Sequence, residues 1–417
     1  MSATTSASLP PGSTEKLLGR TAVMVFLAFA LGYFASAVLR TVIATLSPTL
    51  TQEFGLQAAD LGLLAGGFFL GFASTQLLLG SWLDLYGPRR VLLGFLAVAV
   101  VGCLAFSMAG SFVGLLAARV LLGVGVSACL MAPLTGFRRW YEPAQMLRAN
   151  SWILMLGSLG MLASTLPVQW LLPVMGWRPM FWAMAGLIVL AMLLIDRLVP
   201  AHTPPPGAAD EPPGYAQVWR SPEFRRLLPY SFFINGGLIG LQTLWLGPWL
   251  TRVVGLSPLQ AAGGLFFINL ASLLAFSVWG WVMPALTRRG WSTERLLRRG
   301  VPLAMLMLVF NIALGSQADW PFWAVLIILG SVVSLAQPAL SMTFPPALAG
   351  RALSAYNLVC FLGIFSMQWG VGLLIDALKA QGWSEVASFQ GAFAVSCCCS
   401  LASLVYFLRS KSDNPKS

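Results

Sequence analysis

Gly80-Ser81-Trp82-Leu83-Asp84-Leu85-Tyr86-Gly87-Pro88-Arg89-Arg90-Val91-Leu92 gathers Asp84, Arg89, Arg90 and the turn-forming Gly87-Pro88 between two long apolar runs. Residues 61–79 on one side and 91–109 on the other carry no charge at all. Each run of about 19 residues is long enough, as a helix, to cross the ~30 Å hydrocarbon layer of a bilayer. Gly87-Pro88 between them breaks regular structure, so the two spans are expected to run antiparallel.

The same alternation continues in both directions. Twelve apolar stretches are expected to span, at 21–47, 60–83, 91–109, 112–135, 151–173, 179–199, 227–250, 259–284, 300–315, 321–345, 355–377 and 386–408. Hydrophobic residues make up 58% of the 417-residue chain, charged residues 9%, and mean hydropathy is +0.79. That composition excludes a water-soluble globular protein and predicts an all-α integral membrane fold.

The net charge of +11 would suggest nucleic acid in a soluble chain, but its placement gives another reason. With the N-terminus inside, 20 of the 25 Lys and Arg fall on the cytoplasmic side and 3 outside. This bias predicts cytoplasmic termini, an inner-membrane location and no nucleic-acid partner. Residues 1–20 are polar and the first apolar run is too long for a cleavable leader. The six cysteines lie in apolar stretches, and Cys397, Cys398 and Cys399 diverge by about 100° each around a helix. Neither a disulfide framework nor a metal site is expected, and the one histidine, His202, lies in a polar loop.

Residues 200–226 interrupt the apolar pattern with Pro204, Pro205, Pro206, Asp210, Glu211, Pro212 and Pro213, an extended cytoplasmic linker. It divides the chain into a tail (1–20), a six-helix bundle (21–199), a second bundle (227–408) and a tail (409–417). The bundles repeat one another. Ser47-Pro48-Thr49-Leu50-Thr51 returns as Gly247-Pro248-Trp249-Leu250-Thr251, and Gly80 and Arg89 return as Gly280 and Arg289. Gly123 and Asn150 correspond to Gly330 and Asn357 at a slightly longer offset. Parallel repeats of this kind build transporters whose substrate site lies between the halves near the midplane.

The loop quoted above resembles the G-x-L-x-D-x-x-G-r-[KR]-x-x-l signature of the major facilitator superfamily, and stands where that family carries it, after span 2. The resemblance implies twelve helices in two pseudo-symmetric bundles and gating through Gly80, Asp84, Gly87, Arg89 and Arg90. Gly80 would allow close helix approach, and Asp84 would accept from backbone amides at the start of span 11, near Tyr356 and Asn357. Trp82, Leu85 and Pro88 depart from the pattern, and Pro284 stands at the position of Asp84 in the second half. Arg119-Val120-Leu121-Leu122-Gly123-Val124-Gly125 resembles the family's R-x-x-x-G-x-G element, whose Arg is associated with proton coupling or substrate. The segment from Tyr33 to Leu50 is similar to span 1 of the organophosphate antiporters and anion:cation symporters. Span 5 reads Gly157-Ser158-Leu159-Gly160-Met161-Leu162, without the element of drug–proton antiporters, and the glycine-rich nitrate signature is absent too.

Arg40 and Arg119 are the two cations at membrane depth, and no Asp or Glu accompanies them there. Such a charge costs about 2.5–3.5 kcal/mol at the bilayer centre on the insertion scale. Facing one cavity from neighbouring helices at similar depth, the pair would favour an organic anion, because a guanidinium binds carboxylate or phosphate through two parallel hydrogen bonds. Snorkelling to the outer surface is the alternative. Tyr33, Asn235, Gln242, Asn269, Asn357 and Gln368 complete the candidate substrate site, with Trp245 as a stacking surface. The expected function is a permease for a small carboxylate or phosphate by alternating access, with a coupling proton or exchanged anion. It is read as a monomer in the lipid bilayer, with no cofactor and no enzymatic role. An efflux pump for amphiphilic compounds and a non-transporting sensor on the same scaffold are the alternatives.

Overall fold

The computed structural model describes residues 16–17, 19–201 and 214–410. His202, the middle of the linker and most of both tails therefore lie outside the described residues. The first half comprises α1 (Gly19–Phe54), α2 (Ala58–Ser74), α3 (Gln76–Met108), α4 (Phe112–Val126), α5 (Met131–Trp140), α6 (Pro143–Ala163), α7 (Leu166–Met175) and α8 (Trp177–Leu198). After the linker come α9 (Ala216–Arg220), α10 (Pro222–Pro229), α11 (Gly236–Gly240), α12 (Leu246–Pro248), α13 (Pro258–Arg288), α14 (Thr293–Leu314), α15 (Trp320–Gly330), α16 (Ala336–Met342), α17 (Pro346–Ala380) and α18 (Glu385–Arg409). Among the described residues there is no strand.

Apolar side chains all round a segment leave the backbone no alternative in lipid to internal hydrogen bonding, which only a helix supplies here. Starts are fixed by polar caps. Ser111, Ser257, Ser292 and Ser384 accept from the amides of Gly114, Gln260, Arg295 and Ala387, and Asp319 accepts from Trp320. Among the described residues nine helices are long and apolar enough to cross a membrane, and the α6–α7 pair, bent by 46°, makes ten.

Spans 2 and 7 of the sequence reading are helical but interrupted. Span 2 is α2 plus the first part of α3, joined at Thr75. α3 then runs through Gly87, whose φ of 78° and ψ of 160° turn the chain into span 3. A side chain would strain that conformation, which explains the glycine. Span 7 extends from Pro222 to Val253, so it begins inside the expected linker, and π-helical turns at Tyr230–Asn235, Leu241–Trp245 and Trp249–Val253 alternate with short α segments.

Each half is fastened in the same way, start of its third span to end of its sixth. In the first, Arg89 pairs with Asp196 at 2.6 Å and donates to the Val199 carbonyl. In the second, Glu294 holds Arg226 and, at 2.7 Å, Arg298, whose guanidinium donates to the carbonyls of Leu408 and Ser410 at 2.7 and 2.9 Å.

The described N-terminal end lies beside the Asp84 loop, the linker exit reaches span 2 of the first half, and the described C-terminal end lies on the start of span 7. Lys16 donates to the carbonyls of Arg139 and Tyr141, Ser410 accepts from Arg226, and the Tyr215 hydroxyl donates to the Leu77 carbonyl at 2.9 Å. Burial pushes the Tyr215 phenol above its ordinary pKa, against the opposing pull of Ser354 and Arg351. At the opposite end the halves pack tightly, α2 on α17, α1 on the Leu241–Pro248 region, and α13 on α6 and α7. There the repeated sequences meet: Ser47, Pro48, Thr51 and Gln52 face Thr251 and Arg252 across a cavity of about 260 Å³.

Candidate functional site

Arg119 projects from α4 into the packing between α1 and α2 and has no solvent exposure. Its Nη1 donates to the Leu39 carbonyl at 2.7 Å and its Nε to the Leu64 carbonyl at 3.5 Å. The guanidinium lies 4.8 Å from the centre of the Phe68 ring, and Nη2 has no partner among the described residues. Helix carbonyls have a second lone pair free, so a cation can be housed on them without a carboxylate. This corrects the expectation of two cations in one open cavity: Arg119 reaches the depth of Arg40 but is sealed by two helices.

Arg40 is only partly buried. Its guanidinium neighbours the Tyr33 side chain, two turns earlier on the same face of α1. It also lies 5.7 Å from the Phe72 ring centre, and Phe72 packs on Phe361 of the second half at 4.4 Å. Arg40 thus sits where the halves meet. Neither cation has a carboxylate within 4.0 Å among the described residues, and the buried Nε of Arg40 has no acceptor.

In the second half a cavity of about 100 Å³ opens between the middle of span 7, α13 and α15. Asn235, Gln242, Ser272, Ser331 and Ser334 supply its polar wall, and Leu238, Phe276 and Ile327 part of its apolar one. The Gln242 amide donates to Asn269 Oδ1 at 3.1 Å, which orients both side chains. Ser331 accepts from the Trp279 indole at 2.7 Å and donates to the Ile328 carbonyl. Sequence reasoning missed the three serines. Each is small, and Ser331 and Ser334 bond a carbonyl three residues back in their own helices, so they leave no polar gap in an apolar run.

Three other predicted contacts have different surroundings. Trp245 is buried, donates its indole N–H to the Gln368 carbonyl at 3.2 Å and meets Phe389 edge-on, so it is not an open stacking surface. Gln368 is fully buried and donates to Thr243 at 3.0 Å. Asn357 accepts from Gln337 at 2.9 Å. The Trp245 indole is thus satisfied by a neighbouring helix, whereas the buried Oε1 of Gln368 has no partner among the described residues.

The residues expected to gate lie around the loop between spans 2 and 3, near the described N-terminal end. Asp84 is 72% exposed, and Arg139 of the same half stands 3.4 Å from it. Span 11 corrects the expected partner, since α17 begins at Pro346 and Tyr356 and Asn357 have their amides inside the helix. Gly80 has open space where a Cβ would point, so it makes no close helix contact here, and Arg90 is exposed. Arg89 is engaged within its own half, as described above.

Several known proteins resemble this chain in fold or in sequence. A crystal structure of a bacterial homologue of the human lysosomal transporter Spinster, inward-facing and unoccupied, superposes with a TM-score of 0.77 at 16% identity, covering 94% of this chain and 97% of that one. A D-xylose–proton symporter gives 0.76 at 14% identity, over 95% and 99%. In sequence, a probable sulfoacetate transporter of Cupriavidus necator is 29% identical over 30% of this chain and 29% of its own length. The probable anion transporter 4, chloroplastic, of Oryza sativa subsp. japonica is 26% identical over 66% and 50%. The multidrug transporter MdfA of Yersinia pestis is 27% identical over 56% of each. The chain thus spans between about a quarter and just over half the length of the curated relatives it matches. The family profile itself matches residues 29–366, and the chain belongs to the Major Facilitator Superfamily.

Proposed function

We propose that this protein is a twelve-span permease that moves a small organic anion across the cytoplasmic membrane by alternating access, with both termini cytoplasmic. The observation that carries the reading is Arg40: a partly exposed cation at the junction of the halves, beside Tyr33 and without a carboxylate partner among the described residues. A carboxylate, sulfonate or phosphate would complete its hydrogen bonding. Asn235 and Gln242, with Asn269 behind, would hold an uncharged polar part of the substrate in the second-half cavity. A relative whose name specifies sulfoacetate and another named as an anion transporter support this class. Either a proton or an exchanged anion fits as the coupled species.

A second reading, export of amphiphilic compounds, is favoured by the apolar wall of the cavity and by the likeness to MdfA. A thermal-shift screen of purified protein with carboxylates, sulfonates, organic phosphates and cationic dyes separates the two. Stabilisation by anions is expected; stabilisation by cationic dyes alone overturns the anion reading.

A further inference from the structure

The end of span 2 opposite Asp84 is held to the other half of the molecule by a carboxylate. Asp376, in the last turns of α17, accepts from the backbone amides of Ala58 at 3.1 Å and Ala59 at 2.7 Å. Those amides open α2, in the other half of the molecule. The first turn of α2 also has a local cap, Asp60 accepting from the Gln57 amide at 3.0 Å, which leaves the amides of Ala58 and Ala59 to Asp376.

A carboxylate near the C-terminal end of a helix opposes that helix's own dipole, whereas one at an N-terminus is stabilised. Asp376 is therefore misplaced for α17 and well placed for α2. Its surroundings admit the contact only when the halves are pressed together. A Cβ at Gly372 would collide with the Ala58 carbonyl, and one at Gly62 with the Gln368 carbonyl. Phe361, Phe365, Gln368, Gly372 and Asp376 form a single stripe of α17 against α2, at spacings of three and four residues.

We infer that Asp376 is a gating residue, a carboxylate latch that holds the far end shut and must release the α2 amides when that end opens. The inference rests on the reading that the two halves move against each other, but its test reads distance and not flux. Spin labels would be placed at Val174 and Leu259, exposed positions on α7 and α13 in different halves, with Cys398 and Cys399 replaced by serine. Asp376→Asn should lower the ratio of far-closed to far-open molecules by about tenfold, the weight of a charge-assisted hydrogen bond. Asp60→Asn, the same charge change at the same helix end but within one half, should leave the distances unchanged. If Asp376→Asn does not fold, Gly372→Ser serves: it pushes Ala58 away while keeping the carboxylate, and should shift the same ratio. Two populations in the unmodified protein with a ratio unmoved by either variant would overturn the latch while leaving the rocking motion intact. An equal shift from Asp60→Asn would overturn it in favour of simple helix-end electrostatics. One distance under all conditions would remove both the latch and the rocking motion.

Discussion

Arg119 Nη1 donates to the carbonyl of Leu39 at 2.7 Å, one residue before Arg40. The cation of span 4 therefore fixes the stretch of backbone from which the cation of span 1 projects. One guanidinium is sealed between helices; the other is partly exposed beside Tyr33. Two charges that look alike in the sequence have different surroundings.

Arg119→Ala should remove transport and also lower the melting temperature, because the buried fork to α1 and α2 is lost. A loss of about 1–3 kcal/mol is expected. Arg119→Lys should fail to rescue either property, since an ammonium cannot reproduce the planar fork. Melting in detergent alongside flux in proteoliposomes checks this; full stability with lost flux would move Arg119 into the substrate site.

Arg40→Gln should raise the dissociation constant of an anionic substrate more than tenfold, with little change in melting temperature. Ligand-dependent melting on the variant reads the effect. Under the amphiphile-export reading, Arg40→Glu would leave binding of cationic compounds intact, and that outcome sinks the anion assignment.

Asp84→Asn should change stability by less than about 1 kcal/mol, as expected for an exposed ion pair. Turnover should nevertheless slow while substrate affinity holds, if the signature loop engages the second half in the opposite state. Stopped-flow exchange measured beside equilibrium binding distinguishes the two effects, and unchanged turnover would confine Asp84 to its pairing with Arg139.

Gly87→Val should destabilise the protein by at least about 1–2 kcal/mol, because a β-branched residue resists the positive φ that joins spans 2 and 3. The melting temperature of the variant is the readout. A neutral result would mean that the turn can be made another way.

Much of the fold was legible from the sequence because lipid imposes a one-dimensional rule. Uncharged runs, the Arg89–Arg90 loop and the Gly87-Pro88 turn located the spans without any knowledge of packing. Residue roles were less legible for the same reason. In a helix that is apolar on every side, nothing in the sequence tells whether Gln368 faces a cavity or another helix, and Trp245 was misjudged in the same manner. The contact of Asp376 was not legible at all, since its partners are backbone amides, which no side-chain pattern records. The helical start of α17 at Pro346, ahead of the expected span, displaced the anticipated partner of Asp84.

The three wide turns of span 7 make it an element with spare length. A π-helical turn stores about one residue more than an α turn, so relaxing one of them to α geometry would rotate everything beyond it by roughly 100°. Gln242 lies in the second such stretch and the Thr251–Arg252 pair in the third. One change of winding in the first stretch would thus swing a cavity amide and a far-end cation together through the screw of a single helix.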